Sequence, residues 1–237
     1  MRVLQILVVL LIISQVAWAY QDYSLSIKTI VDKEGNAHII QKTVLFLEND
    51  NERKTFDFYF NSAQFTLLEW QRFSKTINYY FKGGVSNLTI LAALEPNVGF
   101  NAVSVVLEYN VDSLMISKPT GPRSSTFVLD TSRIALANEN GEFGLGNKVD
   151  LIISLPANSF NVKPVPQPTL REGSELTWKG PLKGRFSLSY EVEKPLGEEV
   201  SEFFVNLQKD AANFYLLALG FALVGFLVFK YFETRRY

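Results

Sequence analysis

The stretch AANFYLLALGFALVGFLVF, residues 211–229, decides how the rest of the chain is interpreted. It contains no charged residue, and Asn213 is its only strongly polar side chain. A helix of about 19 residues is about 28 Å long, close to the ~30 Å hydrocarbon core of a bilayer. Lys230, Arg235 and Arg236 follow it directly. The stretch therefore predicts one membrane-spanning helix, with a basic cytoplasmic tail over residues 230–237.

The other end of the chain predicts export. Met1-Arg2 precedes an apolar run over residues 3–16, and Ala17-Trp18-Ala19 offers a cleavage site. This is the pattern of a signal peptide over residues 1–19. Export followed by one span predicts a single-pass type I protein of the cell membrane. Its N-terminal domain lies outside, its C-terminus lies in the cytoplasm, and the lipid bilayer is its first expected partner.

Alternating polarity predicts strands between these two ends. Leu25 and Ile27 alternate with polar neighbours, and residues 32–36 form a polar turn before a second strand. Phe56, Phe58 and Phe60 alternate in the same way, which predicts a strand over residues 55–60. For residues 65–73 we favour a strand over a short helix.

Turn signals recur about every 8–12 residues, and no helical pattern of about ten residues precedes Leu196. The predicted fold class is mainly β, an antiparallel β-sandwich over residues 20–195. One large lobe and two small lobes are both compatible with that length, and the prolines within residues 119–122 mark the seam of a two-lobed domain.

The apolar period changes after Pro195. Val200, Phe203, Phe204 and Leu207 recur at helical spacing, which predicts an amphipathic juxtamembrane helix over residues 196–210. Ala218 and Ala222 form a pair of small residues four apart, which allows two helices to approach closely. These six residues are the predicted contact of a homo- or hetero-oligomer.

Residue usage limits the chemistry of the chain. There is no cysteine, which excludes disulfides and thiolate sites. His38 is the only histidine, so it would have to serve any Ser-His-Asp triad. Asp130-Thr131-Ser132 resembles the Asp-Thr-Gly loop of aspartic proteases, but it has no second copy. We therefore predict no catalytic residue, no metal site and no cofactor.

Two further features bear on partners. Residues 20–229 hold 19 basic and 23 acidic side chains, a net charge of −4, which argues against a nucleic-acid partner because such proteins carry a basic face. Asn87-Leu88-Thr89 is an N-glycosylation sequon on a segment predicted to be exported, which makes Asn87 a candidate acceptor.

Two phrases carry a resemblance to a known group of proteins. Residues 35–44, Gly-Asn-Ala-His-Ile-Ile-Gln-Lys-Thr-Val, and residues 176–182, Leu-Thr-Trp-Lys-Gly-Pro-Leu, resemble uncharacterised single-pass envelope proteins of archaea. The resemblance covers the whole chain loosely and includes no catalytic motif. It implies an exported β-rich domain on a membrane stalk.

Three functions are consistent with these observations. The first is a non-enzymatic, membrane-anchored β-domain for binding, assembly or envelope structure. The second is an accessory subunit of a membrane protein complex that docks through the helix over residues 200–225. The third is a membrane-tethered hydrolase, which requires a cleft with clustered carboxylates.

Overall fold

The structure is a computed structural model, and it describes residues 20–62, 66–121, 123–136, 142–193 and 211–234, together with residues 197, 200 and 205. The predicted signal peptide and most of the predicted juxtamembrane helix lie outside these residues. The chain divides into two units: residues up to Pro119 with residues 126–192, and residues 120–125 with residues 193–237.

In the part of the chain that the structure describes, thirteen strands account for most of the regular structure. They are β1 Tyr20–Val31, β2 Ala37–Leu47, β3 Val85–Leu94, β4 Ala102–Val111, β5 Met115–Pro119, β6 Ser124–Leu129, β7 Phe143–Leu145, β8 Val149–Ser154, β9 Ser159–Val165, β10 Leu170–Glu172, β11 Glu175–Lys179, β12 Leu182–Gly184 and β13 Ser187–Glu193. The described helices are α1 Asp50–Asn61, α2 Leu67–Phe73 and α3 Ala211–Thr234, with a 3-10 turn, η1, over Thr131–Arg133.

The strands form three sheets. The largest has seven strands in the order β10-β11-β8-β1-β2-β4-β3, a second has the order β5-β6-β13-β9, and β12 pairs with β7. The first hairpin is as predicted: β1 and β2 pair antiparallel, and their alternate residues, including Leu25 and Ile27, are buried. Gly35 at its turn has φ +89°, and a Cβ there would lie 2.5 Å from the Met115 carbonyl oxygen. Only glycine fits that position.

The prediction of a wholly antiparallel sandwich is wrong. In the seven-stranded sheet β1 pairs parallel with β8, with Leu25 opposite Val149. The other strand pairs of this sheet are antiparallel. The sheet is therefore mixed. Strands β1 and β8 are distant in sequence, and the periodicity of either strand indicates only its own buried face, not the direction of its neighbour.

The strands predicted over residues 55–60 and 65–73 are wrong, because Asp50–Asn61 and Leu67–Phe73 are helices. Asn49 caps α1, because its side-chain oxygen accepts the backbone N–H groups of Asn51 and Glu52 at 3.1 and 3.0 Å. Phe56 is fully buried and Phe58 is 65% exposed. The alternating phenylalanines predicted a strand, but the Asn49 cap starts a helix. In that helix Phe56 and Phe58 lie on different sides.

The second helix also begins with a local signal. The Glu69 carboxylate accepts hydrogen bonds from the Thr66 backbone N–H at 2.7 Å and from the Thr66 hydroxyl at 3.0 Å. This is one half of a capping box, and Thr-x-x-Glu at 66–69 is its sequence signature. Trp70 and Phe73 of α2 are buried, with ring centroids 6.1 and 5.9 Å from the Phe56 ring.

The membrane-spanning assignment is also wrong. Among the residues that the structure describes, no helix combines the length and the apolar character that a bilayer crossing needs. The single-pass topology and the cell-membrane location, both predicted from residues 211–229, are therefore wrong as well.

Candidate functional site

A groove of about 660 Å³ lies among the described residues of the larger unit. It lies beside the β6–η1 corner, strand β7 and the segment that joins β12 to β13. Most of its lining is apolar, and we call it the apolar groove: Val128, Leu129, Ile134, Leu136, Phe143, Val165 and Phe186. Its volume falls within the range of small-molecule sites, about 300–1,000 Å³.

Aromatic rings form one wall of the apolar groove. The Phe143 and Phe186 rings stack with centroids 4.3 Å apart, and the Trp178 ring meets Phe186 edge-on at 5.1 Å. Trp178 is 1% exposed, and its indole N–H donates to the Pro166 carbonyl at 2.9 Å. Because Trp178 is fixed on its far side, Phe186 presents a rigid surface to the groove.

Backbone pairing determines how this wall is built. Phe143 of β7 lies opposite Gly184 of β12, which has φ +129°. The Gly144 N–H also donates to the Leu136 carbonyl at 2.8 Å. The β7–β12 pair therefore holds one side of the groove to the segment that follows η1.

The β6–η1 corner is held by Asp130. One of its oxygens accepts from the Ser132 backbone N–H at 3.1 Å and from the Ser132 hydroxyl at 2.6 Å, and the other accepts from Arg133 Nε at 3.3 Å. The Ser132 hydroxyl, more than any other neighbour, holds the pKa of Asp130 below its usual value. Both carboxylate oxygens are thus engaged in shaping the corner.

A few polar groups lie among the apolar ones. Thr131 and Ser187 bring hydroxyls to the lining, and Glu142 and Arg185 bring opposite charges. Arg185 is exposed, so its guanidinium remains hydrated. The arrangement combines a broad apolar wall with a small number of orienting groups, which is typical of sites for apolar or amphiphilic ligands.

No protein-family model matches the chain, and no curated protein matches it. Among solved structures, the folded domain of LppM from Mycobacterium tuberculosis is 10% identical, over 74% of this chain and 94% of that one, with a TM-score of 0.34. Native leukotriene A4 hydrolase from Saccharomyces cerevisiae is 4% identical, over 73% of this chain and 29% of the hydrolase, also with a TM-score of 0.34. At these TM-scores neither likeness carries an argument about fold or activity. The resemblance to archaeal envelope proteins stays a prediction.

The residues predicted for helix association are described only in part. Val200 is 50% exposed, and Ala218 and Ala222 are exposed on α3. Phe203, Phe204 and Leu207 lie outside the described residues. Asn87 is exposed at a bulge in β3 with φ +54°, so its side chain is accessible, and its modification stays a prediction.

His38 and Asp130, the other residues considered from the sequence, each contact different partners. His38 lies on the seven-stranded sheet. Its Nδ1 is hydrogen-bonded to the Asn110 side-chain oxygen at 2.8 Å, and its Nε2 is 3.0 Å from a Glu108 carboxylate oxygen. Asp130 is at the edge of the apolar groove, bonded as described above. Among the described residues, no three His, Asp or Glu side chains gather as metal ligands.

Sequence reasoning missed the apolar groove. Its lining comes from segments between residues 128 and 187 that are separated in sequence and come together only in the folded chain. One local signal was present: Asp130 and Ser132 form an Asx-type turn at the end of an apolar strand, which marks a sharp corner.

Proposed function

We propose that the protein is a non-enzymatic binding domain that holds an apolar or amphiphilic small molecule in the apolar groove. The observation that carries this proposal is the lining: seven apolar side chains, with the stacked Phe143 and Phe186 rings among them, around a volume of about 660 Å³. Burial of a hydrocarbon chain against such a surface is favourable by about 25 cal/mol per Å².

The polar groups then orient the ligand. Thr131 and Ser187 can bond a hydroxyl or carboxylate, and Arg185 can attract a negative head group. In this proposal Asp130 is structural rather than catalytic, because Ser132 and Arg133 already occupy both of its oxygens. This reading favours binding over the hydrolase alternative.

Titration of the purified chain with dodecanol and dodecanoate tests the proposal. Trp178 lies directly behind Phe186, so its fluorescence should report filling of the groove. Both compounds should bind saturably below the concentration at which they aggregate. Val128→Asp places a charge at the groove and should weaken both at least roughly tenfold. Arg185→Gln should weaken dodecanoate alone.

Val98→Asp is the matched control, since Val98 is 40% exposed against 36% for Val128 and lies outside the groove. It should bind both compounds as the parent does. Non-saturable binding, or equal binding by Val128→Asp and the parent, would refute the proposal.

A second candidate function is that of an accessory subunit that docks through α3. The observation that favours it is the apolar surface of this helix. Large apolar side chains are exposed on every side over the described part of α3: Leu216, Leu219, Phe221, Leu223, Val224, Phe226, Leu227, Val228 and Phe229. A helix that is apolar all round requires cover. Ala218, Ala222 and Gly225 lie on one side and would admit a helix of a partner protein at close range.

Enlarging that small face tests the second candidate. Ala218→Leu with Ala222→Leu should release a heteromeric partner from the full chain, measured by native mass spectrometry of the tagged protein. Gly220→Leu adds similar bulk to the opposite side of α3, where nothing lies within 4 Å, and should retain the partner. Retention in both variants, or a purely homomeric assembly, would contradict this function.

A further inference from the structure

A second cavity, of about 420 Å³, lies at one end of the seven-stranded sheet and shares no lining residue with the apolar groove. Most of its lining residues are polar, and we call it the polar cavity; among them are Asp32, His38, Ser86, Asn110 and Asp112. Its volume also falls within the range of small-molecule sites, about 300–1,000 Å³. Because the two cavities are separate, a ligand of the polar cavity is independent of the function proposed above.

Strand register builds the floor of the polar cavity. Ile30 of β1 lies opposite His38 of β2, and His38 lies opposite Asn110 of β4. Asn110 lies in turn opposite Ser86 of β3. Side chains of directly opposed residues project to the same face of a sheet, so four neighbouring strands place these residues in one row. Their neighbours along β1, β2 and β4 are buried, and the row therefore faces solvent.

The amide of Asn110 has a fixed orientation in this row. Its side-chain oxygen is hydrogen-bonded to His38 Nδ1 at 2.8 Å. The other ring nitrogen of His38, Nε2, is 3.0 Å from a Glu108 carboxylate oxygen, so the ring is held on both sides. Because the amide oxygen is engaged by His38, the amide nitrogen remains as a donor for a ligand.

Asp112 provides an acceptor beside that donor. Its backbone carbonyl accepts a hydrogen bond from Arg133 Nη1, which fixes the position of the residue. A Cβ on Gly84 would lie 3.3 Å from Asp112 Oδ2, so the turn before β3 packs closely beside the carboxylate. Within the part of the chain that the structure describes, neither this carboxylate nor the Ser86 hydroxyl has a hydrogen-bond or ion-pair partner. Both are therefore available to a ligand.

The lining of the polar cavity is unsuited to an anion or a metal ion. It includes no lysine and no arginine that would attract an anion. One oxygen of Asp32 accepts the backbone N–H groups of Glu34 and Asn36 at 2.8 Å each, and the other accepts the Asn36 side-chain amide at 3.0 Å. Asp112 is then the one lining carboxylate that is free, whereas calcium takes about six to eight oxygen ligands.

We propose that the polar cavity binds a neutral sugar through a pair of neighbouring hydroxyl groups. A hydroxyl both donates and accepts, so one can donate to the Asp112 carboxylate while its neighbour accepts from the Asn110 amide. An ammonium ligand has no acceptor and would leave the Asn110 donor without a partner. Ile30 is 39% exposed and offers an apolar surface to the C–H groups of a sugar ring.

Titration with the methyl α-glycosides of glucose, galactose and mannose tests the proposal, because these sugars differ in the orientation of neighbouring hydroxyls. The full chain is produced without glycosylation, and its intact mass confirms that Asn87, which also lines the cavity, is unmodified. Saturation-transfer difference NMR should show saturable binding of at least one glycoside at millimolar concentrations. Calcium chloride and ethylammonium chloride serve as the cationic probes and should not compete with that glycoside.

Two variants locate the binding. Asp112→Ala removes the free acceptor and should weaken the glycoside at least roughly tenfold. Asn110→Asp keeps the size of the side chain but removes the donor, and should weaken it to a similar extent. Asp50→Ala is the matched control, because Asp50 is also exposed but lies on α1, outside the polar cavity. It should bind as the parent does, and circular dichroism should show all three variants folded.

Four outcomes would overturn the proposal. One is that the parent chain binds none of the three glycosides. The second is that Asp112→Ala binds as tightly as the parent, and the third is that Asp50→Ala weakens binding as much as Asp112→Ala does. The fourth is that calcium or ethylammonium binds through Asp112 and displaces the glycoside, which would assign the polar cavity to a cation.

Discussion

Trp178→Ala should lower the free energy of unfolding by about 3–5 kcal/mol, the range for removing a large aromatic side chain from a core. Trp178 is 1% exposed, packs edge-on against Phe186, and donates to the Pro166 carbonyl. The substitution leaves a cavity and takes a hydrogen bond from that carbonyl, which adds about 1 kcal/mol. Urea unfolding followed by far-ultraviolet circular dichroism measures the change.

Phe100→Ala is the matched control for this substitution. Phe100 is 91% exposed, and its main described contact is Arg53, whose guanidinium carbon lies 5.6 Å from the ring centroid. Loss of that exposed contact costs at most about 1 kcal/mol. If Trp178→Ala changed stability no more than Phe100→Ala, Trp178 would not be a core residue and the rigid wall of the apolar groove would lack its support.

Gly180→Ala should destabilise the protein by about 3 kcal/mol, through contact with backbone that cannot rotate away. A Cβ at Gly180 would lie 1.8 Å from the Gly146 carbonyl oxygen and 3.2 Å from the Val149 carbonyl oxygen. The Gly180 N–H already donates to Val149 at 2.8 Å, so the two segments cannot separate without losing that bond. Such overpacking costs about 1–3 kcal/mol and occasionally more. Thermal and urea unfolding should both show the loss.

Gly173→Ala provides the comparison, since nothing lies within 4 Å of a Cβ there and its φ is +59°. The only cost of an alanine at position 173 is the left-handed backbone conformation, which destabilises the folded protein by about 1 kcal/mol. Equal losses for the two variants would mean that the close approach of residue 146 does not exclude a side chain at position 180.

Local patterns predicted the elements whose partners are near in sequence. Asp32 accepts the backbone N–H groups of Glu34 and Asn36 at 2.8 Å each, and this turn joins β1 to β2 as the polar residues and Gly35 indicated. Where two local signals competed, as at Phe56, the end cap determined the structure rather than the alternation. Asn49 and Thr66 are the local signals in the sequence that indicate helices, rather than strands, at both places.

The sequence by itself determined the mainly β class, the first hairpin, the absence of cysteine chemistry and the apolar character of the last helix. These properties follow from residue types and from spacing within a few residues. Only the tertiary structure decided that β1 pairs parallel with β8, that β3 lies at an open edge, and that residues between 128 and 187 enclose a groove. Each of these depends on backbone hydrogen bonds and packing between segments distant in sequence, and hydrophobic periodicity indicates which face of a strand is buried but not which strand lies beside it.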